Sequence, residues 1–190
     1  RGDVITVKID KHRKIPATTL LRALGYATNE EILALFTDTD TNPDHQFISS
    51  TLEKDSSSTT AQALLEIYEK MRPGEPAVLE NATDLLNELF FDPRRYDLGR
   101  VGRYKLNRRL KVEDTKEKGN HILTKEDIVA SLKYLITLQN GQGKIDDIDH
   151  LSNRRVRRVG ELVMTNAFRI GLLRLERAIR EKMSLSKTDE

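Results

Sequence analysis

At 190 residues the chain is long enough to bury a sizeable core as one domain or two closely packed lobes, and the lack of cysteine excludes a disulfide scaffold and a thiolate zinc site. Charged residues make up 33% of it, yet the net charge is only +2, so an anionic partner must be read from local clustering and not from the overall balance. No stretch has the pattern of a signal peptide or the ~18 consecutive apolar residues of a membrane-spanning helix, which fits a reducing cytoplasm.

Val4-Ile5-Thr6-Val7-Lys8-Ile9 alternates β-branched and polar positions and predicts a strand, followed by a charged turn over 10–14. Pro16 opens a short helix over 17–24, which Gly25 ends where a left-handed residue is needed. Thr28-Asn29-Glu30-Glu31 is a capping box for a second short helix through Phe36. Segments 37–44 and 55–60 are rich in Ser, Thr and Asp and read as loops, with Phe47, Ile48 and Leu52 anchoring one helical turn between them.

Residues 61–72 form a helix with Leu64, Ile67, Tyr68 and Met71 on one face, which Pro73 must stop. Val78, Ala82, Leu85, Leu86 and Leu89 mark the next amphipathic helix, terminated by Asp92-Pro93. From 94 to 111 there are eight Lys or Arg against one acid, Asp97, with two tyrosines, two glycines and little periodicity. Basic residues interleaved with aromatics suit a phosphate backbone and its bases; the alternative is a solvated surface whose tyrosines belong to the core.

Segment 113–120 reads as a hairpin or linker. Thr124 and Asp127 cap a further helix with Ile128, Leu132, Leu135 and Ile136 on its buried side, ended at Asn140-Gly141-Gln142-Gly143. The last helix, over 159–183, is the longest. Its stripe of Met164, Phe168, Leu172, Leu175, Ile179 and Met183 reads as core or as a seam for a partner helix, and Glu176–Arg180 and Arg177–Glu181 are spaced to pair.

Asp146-Asp147-Ile148-Asp149-His150-Leu151-Ser152-Asn153-Arg154-Arg155-Val156-Arg157-Arg158 sets three carboxylates just ahead of four arginines. One reading is an internal ion-pair cluster that caps the helix after it. The other is a binding turn, because Arg forks onto phosphate or a guanine edge and a carboxylate orients it or accepts from a base amino group. The three aspartates resemble a Mg²⁺ site in type, but the adjacent arginines compete for them and no second acidic cluster faces them. There is no glycine-rich phosphate loop, no GxSxG, no HExxH, and no ligand spacing among His12, His45, His121 and His150.

The segment from Asp146 to Arg155 closely resembles part of the bacterial RNA polymerase β subunit. Other blocks agree in order: Arg13-Lys14-Ile15-Pro16-Ala17-Thr18 with Leu20-Leu21-Arg22-Ala23-Leu24-Gly25, Arg72-Pro73-Gly74-Glu75-Pro76, 90–98, 101–107 and Phe168-Arg169-Ile170-Gly171-Leu172. The region resembled is the β2, or lobe, domain, so the resemblance implies a mainly α fold with a small β component, one lobe over 1–190 with a flexible tail at 184–190, excised from a longer subunit.

It further implies a non-catalytic module of a nucleotidyltransferase that forms one wall of the downstream DNA cleft and contacts the non-template strand. No cofactor is implied in this piece, Mg²⁺ belonging to another subunit. Carried over by motif, Asp149 accepts from the Watson–Crick edge of a flipped guanine, Arg154 supports the base, and Asp10 and Lys11 line the same pocket. Arg72 and Arg95 match positions facing the single strand, with Arg103 and Arg174 as further candidates.

Implied partners are non-template and downstream duplex DNA, the other polymerase subunits, σ factor and transcription regulators, with no membrane, in the bacterial cytoplasm and nucleoid or in a plastid. Three departures stand out: Ser152 where the family usually has Gly, Lys11 where it often has Arg, and one extra residue in 161–168, with Ala167 where Gln is usual. Such a residue rotates the following helix by ~100° unless a bulge absorbs it. The connections at 38–58 and 113–120 are short for a family that carries large insertions here. Two function classes follow, a nucleic-acid-binding module and a protein-docking surface for σ factor or regulators.

Overall fold

β-Branched residues at alternate positions favour an extended chain, and in the computed structural model, which describes residues 2–9, 14–112 and 121–186, they form a two-stranded antiparallel hairpin. Strand β1 (Thr6–Lys8) pairs with β2 (Lys14–Pro16) in the register Thr6↔Pro16, Val7↔Ile15 and Lys8↔Lys14. The expected charged turn over 10–14 therefore gives up Lys14 to a strand; its remaining residues, Asp10 and Lys11 among them, lie outside the described residues. The chain divides into two compact units, Arg1–Lys144 and Ile145–Glu190.

The first unit is arranged around α1 (Ala17–Ala23), whose seven residues are all buried. Pro16 supplies the extended entry (φ −57°, ψ 142°), and a Schellman turn ends the helix, Tyr26 N donating to Leu21 O and Gly25 N to Arg22 O. Gly25 sits at φ +115°, which a side chain rarely adopts. One side of α1 (Leu20, Leu24) packs with Ile15 of the hairpin, α4 (Thr60–Met71) and α5 (Leu79–Phe90) through Leu64, Ile67, Tyr68 and Leu86. The other side (Ala17, Leu21) packs with α2 (Asn29–Phe36), α3 (Phe47–Leu52) and α7 (Lys125–Gln139) through Ile32, Phe36, Ile48, Val129 and Ile136. One short helix thus serves two cores, and each fully buried Leu or Ile contributes about 1.5–3 kcal/mol.

Polar groups on this helix need partners. Arg22, 4% exposed, donates to Asp55 Oδ2 (3.2 Å), to Ala27 O (2.6 Å) and to Asn29 Oδ1, tying α1 to the start of α2 and to the loop before α4. Burial by itself would raise the Asp55 carboxyl, but hydrogen bonds from the Ser57 hydroxyl and amide and from the Thr19 hydroxyl hold it below its ordinary value of 3.8. Thr51 clamps the first strand to α3, accepting from Ile5 N at 2.9 Å and donating to Phe47 O at 2.6 Å.

Both capping boxes form as the sequence predicts, at Thr28/Glu31 and at Thr124/Asp127. On α7 the buried stripe is Val129, Leu132 and Ile136; Leu135, expected inside, lies on the flank at 42% exposure. The basic stretch, expected to lack periodicity, contains a regular helix, α6 (Gly99–Leu110), closed by Lys111 in the left-handed region (φ +54°).

The second unit consists of an irregular segment, a 3-10 turn (Leu151–Asn153) and one long helical run. That run is α8 (Val159–Leu162), a π turn (Val163–Phe168) and α9 (Arg169–Ser186). The π turn falls on the stretch expected to carry an extra residue, and i→i+5 geometry is the kind of bulge that would absorb one. The helix runs through Ser186, past the expected start of a tail at 184. Its apolar stripe is not core within its own unit, since Phe168, Leu172, Leu175 and Met183 are each more than half exposed.

Candidate nucleic-acid interface

In the second unit, Asp147 organises the turn between the acidic and basic blocks. Its Oδ1 accepts from Asp149 N (3.0 Å), and its carbonyl accepts from Asn153 Nδ2 (2.7 Å). His150 Nδ1 accepts from Ser152 N (3.2 Å) and lies 2.7 Å from Ser152 Oγ. Ser152 thus takes part in the cap of the 3-10 turn.

This scaffold brings together the two residues expected to form the base pocket. Arg154 Nη1 lies 3.3 Å from Asp149 Oδ1, with side-chain exposures of 61% and 88%. An ion pair this exposed is worth little, on the order of 0–1 kcal/mol, so it exchanges readily for an external ligand. Arg155 pairs with Glu161 in the first turn of α8, a carboxylate outside the charged stretch 146–158. The two neighbouring arginines thus pair in opposite directions along the chain, Arg154 back to Asp149 and Arg155 forward to Glu161. Arg174 is exposed on α9, where Glu176 and Arg180 pair at 2.6 Å.

The first unit positions three further candidates. Arg72 closes α4 ahead of Pro73, and its Nη1 approaches Glu75 Oε2 at 3.5 Å while the Tyr68 hydroxyl donates to the same oxygen at 2.9 Å. That hydrogen bond, with burial and the Glu75 charge, raises the Tyr68 hydroxyl above its usual range against the opposing Arg72 charge. Arg95 projects from a turn in which Asp92 accepts from Arg94 N, Arg95 N and Tyr96 N, and its guanidinium lies 3.0 Å from Glu88 Oε2 in an exposed pair.

Arg103 requires a correction. It was expected to face a DNA strand, but it is only 8% exposed: Nη1 lies 2.7 Å from Asp127 Oδ2, and Nη2 donates to Ile122 O. The α6 periodicity turns position 103 inward against α7, where a guanidinium must be paired. Asp10 and Lys11, expected in the same pocket as Asp149, lie outside the described residues. Among the described residues no group of three or more His, Cys, Asp or Glu is placed to hold a metal ion. No described helix is long and apolar enough to cross a membrane.

Two features went unread in the sequence. Asn153 was quoted as part of the motif without a role, although an Asn four residues after Asp149 and beside Arg154 is well placed to brace a turn. The helical register of 94–109, a stretch read as suiting a phosphate backbone, was hidden by its scant periodicity.

Comparison with known proteins gives a consistent result. Residues 1–157 match the family model described as RNA polymerase Rpb2, domain 2. Over 184 residues the chain is 53% identical to the DNA-directed RNA polymerase subunit beta of Dehalococcoides mccartyi, in strains BAV1 and CBDB1, covering 96% of this chain and 14% of the relative. It is 46% identical to the subunit of the same name from Chloroflexus aggregans over 212 residues, covering 97% of this chain and 17% of that one. The second match is longer than the chain itself, so that relative carries additional residues within the matched region. The chain spans about one seventh of the length of the Dehalococcoides relatives it matches.

Proposed function

The chain belongs to the RNA polymerase Rpb2 domain 2 family, and on that premise we propose that it is the non-catalytic lobe of a β subunit, forming a wall of the downstream DNA cleft and holding the non-template strand. The observation that carries the reading is the exposed Asp149–Arg154 pair on a turn braced by Asp147 and Asn153. A carboxylate held this way accepts from the N1 and N2 donors of a guanine, and the adjacent guanidinium covers the base or its phosphate. Arg72 and Arg95, both exposed and in loose ion pairs, supply sequence-independent phosphate contacts. Polymerase subunits, with σ factor and regulators, are the protein partners of this reading. The exposed apolar stripe of α9 supports the docking role as a second reading, with those proteins seated on it.

The test is binding of a short non-template oligonucleotide with and without guanine at the pocket position, to the chain and to a polymerase assembled with it. Asp149→Ala is expected to abolish the guanine preference, worth about 1–3 kcal/mol for a good base contact, while overall affinity is kept. Absence of any guanine preference in the assembled enzyme would leave Asp149–Arg154 a structural ion pair and place the docking role first.

A further inference from the structure

We propose that the outward side of α6 is a contact surface for single-stranded nucleic acid, built from Arg100, Tyr104 and Arg108. These residues are separate from those assigned above, and the inference rests on the nucleic-acid reading only for the class of partner.

At 100° per residue, Arg100, Lys111, Tyr104, Arg108 and Val101 fall in sequence around an arc of ~100°, and all are exposed. The opposite side carries the buried Arg103 and Asn107 and the half-buried Leu106 and Leu110, so packing against the body of the unit orients the helix. No acid lies in the arc. The one acid of this stretch, Asp97, precedes the helix and is engaged there, accepting from Gly99 N at 2.8 Å and lying 4.0 Å from His121 Nδ1. Neither Arg100 nor Arg108 is in an ion pair with a described carboxylate.

A face of one sign, uncompensated within the described residues, is complementary to a polyanion. Arg100 and Arg108 are eight residues apart, ~12 Å along the helix. Tyr104 lies midway between them at 63% exposure, and an exposed aromatic ring between two cations favours an unpaired base over a duplex, whose bases are already stacked. Arg94, exposed on the preceding turn, extends the positive surface toward Arg95.

The experiment measures binding of a twelve-residue oligothymidylate to the full chain across a salt series. Arg100→Gln/Arg108→Gln is expected to reduce the slope of log K against log salt by about 1.4, at ~0.7 for each lost cation on a single strand. Tyr104→Ala is expected to weaken binding about tenfold with the slope unchanged, and Tyr104→Phe to retain it. Arg72→Gln/Arg95→Gln is run in parallel. If that pair lowers the slope and the α6 pair does not, the lobe reading stands and this inference is overturned. If Tyr104→Ala is silent and poly-L-glutamate competes as well as oligothymidylate at equal charge, the face receives an acidic protein and the proposal is likewise overturned.

Discussion

Replacing Asp127 by Ala should destabilise the first unit by about 3–5 kcal/mol, the cost of breaking a buried ion pair from one side. The carboxylate is 2% exposed, and its Oδ2 both pairs with Arg103 Nη1 at 2.7 Å and accepts from Thr124 N at 2.9 Å. Removing it strands a buried guanidinium whose Nε already has no partner among the described residues, and leaves the first turn of α7 with half of its capping box. Against a total stability of ~5–15 kcal/mol this is a large fraction. With a urea dependence of ~2 kcal/mol per molar, the midpoint should fall by roughly 2 M. Arg103→Met/Asp127→Asn should recover most of the loss, because no charge is then left unpaired and the amide oxygen still serves Thr124 N. Urea unfolding followed by near-ultraviolet circular dichroism, with both single variants and the double, closes the cycle. A loss under ~1 kcal/mol for Asp127→Ala, or a double variant as unstable as the sum of the singles, would show that Arg103 is solvated and return it to the candidate DNA contacts.

Two further outcomes follow from the geometry. Asp55 is held below 3.8 in the folded chain, so between its folded and unfolded values the unfolded chain carries more protons. Its contribution is full above pH ~4 and is lost as pH falls through the folded value; urea midpoints from pH 6 to 2 should decline less steeply in Asp55→Asn, and an unchanged slope would remove Asp55 from the acid transition. Deleting Ala167 should convert the π turn into continuous α-helix, because Val163 and Phe168, five apart in π geometry, become four apart in α geometry and keep a common side. Far-ultraviolet circular dichroism should show helicity kept or raised; a marked loss at 222 nm would mean that the π turn is not absorbing the extra residue.

Local signals were legible wherever a short stretch carries its own hydrogen-bond solution. Thr28/Glu31, Thr124/Asp127 and Gly25 each satisfy backbone groups within a few residues, Pro16 fixes the extended entry to α1, and each helix end lies where these residues put it. The Asp149–Arg154 pairing was likewise readable, by motif. What the sequence by itself determined is therefore the helices, their caps and the family. Partnership across distance came only from tertiary structure: Arg103 reads as one more surface cation until α7 brings Asp127 to it, and Arg22 and Asp55, thirty-three residues apart, give no sign of pairing. The apolar stripe of α9 shows the opposite case, having the pattern of a core helix while staying exposed in its own unit. Periodicity records that a face is apolar or charged, because it follows from the helix repeat. Which face is buried, and which cation is neutralised, depends on what the chain folds against it.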